Sequence, residues 1–162
     1  MTVRERPAPT PREAAEAWES LFRTQVTLMR RLLADDIWDE LSMREYDVLF
    51  TLSGGSGSMR LRDLNENILM AQSSLSRLVD RLERRGLVRR ESAPEDGRGV
   101  KVVLTDDGVR LQKEVGLRHV RSIAHYVGSA MRADDLATLR TLLDKLRAAQ
   151  SAVPDRPRAV AT

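Results

Sequence analysis

QSSLSRLVDRLERRGLVRRESAPEDGRGVKVVLTDDG, residues 72–108, decides how this chain folds. Its first thirteen residues place Leu75, Leu78, Val79 and Leu82 within an arc of about 100° on a helical wheel, at 100° per residue. Ser73, Ser76, Arg77, Asp80 and Arg84 lie on the opposite side. Gly86 suits a left-handed helix stop. Two β-rich runs follow, Leu87–Glu91 and Val100–Leu104, with Pro94, Gly97 and Gly99 supplying turn chemistry between them. Thr105-Asp106-Asp107 then caps and charges the start of another helix. A helix with one short-polar, cationic face, followed by a hairpin with Arg98 at its tip, predicts a winged helix-turn-helix. Small hydroxyls permit close backbone approach in a major groove, and arginine can pair with guanine through two hydrogen bonds.

Outward from this stretch, helices are announced by their caps. Thr10-Pro11-Arg12-Glu13 is a capping box with proline at the first helical position, opening a helix to about Asp35. Ser42-Met43-Arg44-Glu45 repeats the device for a helix to about Leu52. Ser53–Ser58 reads as a surface loop; it lacks the glycine spacing and the Lys-Ser/Thr of a phosphate loop. Leu61–Ile68 predicts a short helix. The helix starting at Thr105 is expected to reach Ala130, and a last one covers about 133–150, with Leu136, Leu139, Leu143 and Leu146 at coiled-coil-like spacing.

The fold class expected is therefore mainly α with a small β-hairpin wing. A single domain, 1–162, is expected, with a winged module over 43–105, dimerisation helices over 10–36 and 106–150, and tails at 1–9 and 151–162. Both terminal segments present long apolar faces; burial within one chain is one reading, but the central module alone is too small to cover them, which favours a helical dimer interface. Dimerisation would set two readers across a two-fold axis, matching palindromic DNA.

Composition narrows the function. The net charge is only +3, yet residues 59–101 carry 10 basic against 7 acidic side chains, with six arginines between Arg77 and Arg90. A local basic cluster on a near-neutral chain favours an anionic partner there. No cysteine is present, which removes disulfides, thiolate nucleophiles, cysteine zinc sites and thiol sensing. His119 and His125 are six apart, not the four that align two metal ligands on a helix, so no metal or other cofactor is expected. No nucleophile-elbow pattern surrounds a serine, and the chain does not read as an enzyme. No apolar run is long enough to span a membrane, and the N-terminus lacks a secretory core, so a cytoplasmic location is expected. An architectural DNA binder or a winged-helix adaptor for proteins is the competing reading; binding without sequence preference, or no DNA binding, would mark them.

LSMREYDVLFTL at 41–52, LRDLNENI at 61–68, SLSRLVDRLERRGLVRR at 74–90 and DGRGVKVVLTDDG at 96–108 together resemble the MarR (multiple antibiotic resistance regulator) family of bacterial transcription factors. The likeness spans roughly residues 10–150. It implies a homodimeric regulator of double-stranded palindromic operator DNA, most often a repressor. Gln72, Ser73, Ser74, Ser76 and Arg77 match the base-reading part of the recognition helix, with Arg81 and Arg84 as further cations along it. Arg98 matches the wing-tip arginine and Asp96 the wing aspartate, a brace. Asp80 is read as orienting Arg77 and Arg84. Relatives that respond to small aromatic or phenolic acids imply an effector crevice, for which Trp18, Trp38, Arg44, Tyr46 and His119 are the candidates by position. Ala71 departs from the family, standing where a hydroxyl N-cap is common, so the recognition helix either relies on Ser73 or Ser74 or starts less well capped.

Overall fold

A computed structural model describes residues 8–93 and 99–155. Its chain divides into two compact units, the boundary falling between Ser122 and Ile123. In the first unit, α1 (Pro11–Leu33) and α2 (Met43–Ser53) each open with the capping box their sequences predict. The Glu13 amide donates to Thr10 Oγ1 at 3.2 Å, and the Thr10 amide donates to the Glu13 carboxylate at 2.7 Å. Ser42 and Glu45 make the same exchange, at 3.3 and 2.9 Å. Each pair satisfies amides that a helix start leaves without internal acceptors.

α3 (Leu61–Asn67) and α4 (Gln72–Arg84) form the helix-turn-helix. Gly86 ends α4 at φ +71°, with the Leu87 amide donating to the Leu82 carbonyl at 3.0 Å and the Gly86 amide to that of Glu83 at 2.9 Å. These paired bonds form a Schellman stop, whose left-handed residue favours glycine. β2 (Val88–Ala93) and β3 (Gly99–Leu104) then pair antiparallel, Val88 opposite Leu104.

A third strand completes the sheet in the order β1-β3-β2. β1 (Ser58–Arg60) pairs antiparallel with β3, Ser58 opposite Val103. Ser58 falls in the stretch predicted as loop. A three-residue strand is too short for period-two alternation to register, and only pairing with β3 defines it.

The core gathers α2, α3, α4, the sheet and the start of α5 (Asp106–Tyr126). Leu41, Val48, Leu49, Leu52, Leu64, Leu75, Val79, Leu82, Val102 and Val115 are completely buried. At about 1.5–3 kcal/mol for each large apolar side chain, this burial outweighs the weak propensity of so short a helix as α3. Thr105 joins sheet to α5: its hydroxyl donates to the Gly86 carbonyl at 2.6 Å and accepts from the Gly108 amide at 3.1 Å.

In the second unit, α6 (Ala133–Ala149) buries none of its residues within the chain. α5 stops at Tyr126, short of the predicted Ala130, and Gly128–Ala130 forms a 3₁₀ turn instead. Glycine is a weak helix former, and the continuous apolar periodicity masked that break.

Candidate nucleic-acid interface

α4 buries Leu75, Leu78, Val79 and Leu82 and turns Gln72, Ser73, Arg77, Arg81 and Arg84 to solvent; Ser74, Ser76 and Asp80 are half-buried. Its N-cap is Ala71, and no side chain caps it. Neither Ser73 nor Ser74 takes over that role, so the less well capped of the two expectations is the one realised. Apolar burial on the opposite face holds the helix without a cap.

Within this surface the charges are sorted. Arg77 and Arg84 donate through Nε to the backbone carbonyls of Ser73 and Asp80, at 3.2 and 3.3 Å. Among the described residues no carboxylate pairs with Arg77, Arg81 or Arg84. The expectation that Asp80 orients Arg77 and Arg84 is corrected: its carboxylate meets Arg90 of β2 at 2.6 Å. Arg90 also binds Glu83 at 2.6 Å, donates its amide to the same carboxylate at 2.7 Å, and reaches the Ser76 carbonyl at 3.4 Å. These hydrogen bonds, the amide's first, hold the Glu83 carboxyl below its ordinary pKa. One guanidinium thus neutralises both acids of the recognition helix. The sequence showed Arg90 only as a strand residue; partners seven and ten positions away across a glycine stop leave no periodic signal.

Arg98 and Asp96 lie outside the described residues, so the structure does not bear on the wing tip.

Of the residues proposed for an effector crevice, three come together. His119 of α5 lies 5.2 Å from the Trp38 ring and 5.3 Å from that of Tyr46, centroid to centroid. Trp38 Nε1 donates to the Leu32 carbonyl at 2.7 Å, and Gln112 hydrogen-bonds the Tyr46 hydroxyl. His119 Nδ1 is buried without a partner, and burial lowers the imidazole pKa against the opposing pull of Asp47 and Asp35. Trp18 is not part of this cluster: it stacks on Phe22 along α1 and is 65% exposed. Arg44 is not part of it either. Two residues from Tyr46, it emerges on the other side of α2 and lines a cleft with Ser74, Arg77 and Arg81 of α4. Gln112 and Gly116, which face the Tyr46 hydroxyl, were not foreseen. Among the described residues no group of three or more His, Cys, Asp or Glu side chains could hold a metal. No described helix is long and apolar enough to cross a membrane.

A three-stranded sheet bracing an exposed, acid-neutralised, arginine-bearing helix defines a winged-helix DNA-binding protein. Residues 40–99 match the family model for the MarR family. The regulator PecS of Dickeya dadantii (strain 3937) is 29% identical over 127 residues, 76% of each chain. Among solved structures, the MarR family regulator AbsC from Streptomyces coelicolor is 29% identical, with a TM-score of 0.72, covering 91% of this chain and all of that one. Sco3205, another MarR family regulator from Streptomyces coelicolor, solved in complex with DNA, is 25% identical, with a TM-score of 0.69 over 89% and 91% of the two chains. Residues 40–99 thus carry the MarR family match, and over most of its length the chain is similar in sequence and fold to MarR family transcriptional regulators.

Proposed function

We propose that this regulator acts in the cytoplasm as a homodimer, recognises a palindromic operator in a sequence-specific manner, and represses transcription by occluding a promoter until a small aromatic or phenolic acid releases it. The observation that carries DNA reading is the sorting of charge on α4: exposed Arg77, Arg81 and Arg84 without acidic partners, and Asp80 and Glu83 both held by Arg90. Gln72, Ser73, Ser74, Ser76 and Arg77 are the base readers in this proposal, with Arg81, Arg84 and Arg98 as supporting cations. Sco3205, solved with DNA, supports the same partner here.

Dimerisation is supported by apolar faces that the single chain leaves open. Trp18 and Phe22 on α1 are 65% and 51% exposed, and Leu142 and Leu146 on α6 are 59% and 52% exposed. Large exposed apolar patches mark association surfaces. Effector release rests on the Trp38–Tyr46–His119 cluster, aromatic walls with an unpartnered imidazole nitrogen. An effector moves the equilibrium only by binding the released state better than the DNA-bound one.

An electrophoretic mobility assay on the DNA flanking the protein's own gene, with a random duplex as control, tests the reading. A preference for the flanking DNA is the expected result. Equal binding to both duplexes would mark an architectural protein, and binding to neither an adaptor.

A further inference from the structure

Arg44 stands in the first turn of α2, where the helix dipole disfavours a cation. Its sequence neighbour Glu45 does not compensate it: that carboxylate closes the Ser42 cap and pairs with Arg85 at 3.4 Å. Among the described residues no acid pairs with Arg44. It faces a cleft of about 280 Å³ shared with Ser74, Arg77 and Arg81 of α4, with Met70 and Leu78 completing the lining. Three guanidiniums around one cleft, with no carboxylate among its lining residues, repel one another unless an anion joins them.

The position of the cleft names the anion. Taking Ser73 as zero on the α4 wheel, Arg77, Arg81 and Ser74 fall at about 40°, 80° and 100°, between the solvent face and the buried face near 180°. When a helix lies in a major groove, its two shoulders run beside the sugar-phosphate strands. The opposite shoulder carries Ser76, Asp80 and Glu83, at about 300°, 340° and 280°, with the acids tied to Arg90. One shoulder is therefore neutralised and the other left cationic.

We propose that this cleft seats one phosphate of the DNA backbone, with Arg44 as its outer cation, Arg81 as its inner one and Arg77 bordering it on the side nearer the solvent face of α4. The inference rests on the DNA-binding reading above and deepens it: α2 becomes a second point of grip, and Arg44 passes from the effector crevice to the DNA face.

Neutralising one phosphate contributes about 0.9 to the slope of log affinity against log salt, equivalent to about eightfold in affinity at 0.1 M salt. Arg44→Gln is expected to lower the slope measurably, by at most about that amount for each bound subunit, because Arg77 and Arg81 remain. The loss should be equal on operator and random duplexes, because a phosphate seat carries no sequence information. Arg44→Lys should retain most of the slope. Circular dichroism should show both variants folded, as Arg44 is exposed. The decisive step walks a single methylphosphonate, an uncharged phosphate mimic, along the bound duplex. One position per half-site should weaken the wild type markedly and Arg44→Gln clearly less, whereas the other positions should weaken both proteins alike.

An unchanged slope in Arg44→Gln, or penalties that simply add at every methylphosphonate position, would overturn the seat while DNA binding itself stands. Thermal protection of the free protein by inorganic phosphate, abolished by Arg44→Gln with no change in DNA salt slope, would assign the cleft to a free anion and also overturn it. Failure of the wild type to bind any duplex would instead remove the DNA reading on which the seat depends.

Discussion

Arg90 on β2 pairs with Asp80 on α4 at 2.6 Å, and the same guanidinium holds Glu83 at 2.6 Å. The strand thereby grips the helix proposed to read DNA and silences the two charges on it that would repel phosphate. Replacing Arg90 with methionine removes both effects. Partial exposure screens the pairs, so the expected loss of stability is about 1–2 kcal/mol in denaturant unfolding. Operator affinity should fall further than stability explains, and Asp80→Asn with Glu83→Gln in the same chain should restore part of it. If the triple variant binds DNA no better than Arg90→Met, charge masking is not what Arg90 provides.

Arg77 is exposed on the solvent side of α4, toward its cationic shoulder, and its Nε donates to the Ser73 carbonyl. If it pairs with a guanine through two hydrogen bonds, Arg77→Ala loses about 1–3 kcal/mol of discrimination at one base pair of each half-site. Binding titrations on single-base operator variants measure this. Equal losses on operator and random DNA would leave Arg77 with a phosphate role alone.

Gly108 sits under the sheet, where a Cβ would lie 2.1 Å from the Leu87 carbonyl oxygen and 2.9 Å from Leu104 Cδ1. Backbone cannot yield as a flexible side chain does. Gly108→Ala is expected to cost about 3 kcal/mol or more, at the upper end of overpacking effects. Gly116→Ala meets the Tyr46 hydroxyl at 3.2 Å, a contact that a small ring shift relieves, and should cost well under half as much. Thermal unfolding of the two variants side by side checks the order.

Leu139 and Leu143 on α6 are each 38% exposed beside Leu142 and Leu146. Leu143→Asp should convert a dimer to a monomer in sedimentation equilibrium and cost most of the operator affinity, since two half-sites are then bound independently. An unaltered molar mass would place the dimer interface elsewhere.

His119, half-buried against Trp38 and Tyr46, has a lowered pKa because burial disfavours its charged form, although Asp47 and Asp35 oppose this. The unfolded imidazole titrates near 6.5, so below that pH the unfolded state binds a proton that the folded state resists. Stability contributed by the neutral ring is thus present above about pH 6.5 and lost as pH falls below it. Denaturant midpoints between pH 5 and 8 should decline on the acid side, and His119→Phe should flatten the decline. A persistent slope in that variant would assign the effect to another group.

The caps, stops and helix faces that depend on neighbours three or four residues apart were legible without coordinates. Thr10 with Glu13, Ser42 with Glu45, the Gly86 stop and the apolar arc of α4 are such local relations, and caps, stops and faces follow from backbone geometry that the same few residues share. The wing hairpin followed from turn chemistry in the same way, and the family likeness from the motifs those elements carry. Pairings between elements were not legible. That Asp80 answers to Arg90 rather than to Arg77 or Arg84, that Ser58–Arg60 joins β3, and that Arg44 faces α4 while Tyr46 faces His119 all depend on how the helices and sheet pack. Sequence by itself determined the helices and the hairpin and which face of α4 is buried; only packing in three dimensions decided that a third strand joins the sheet, which charges on the other face of α4 are cancelled and which remain open to an anion.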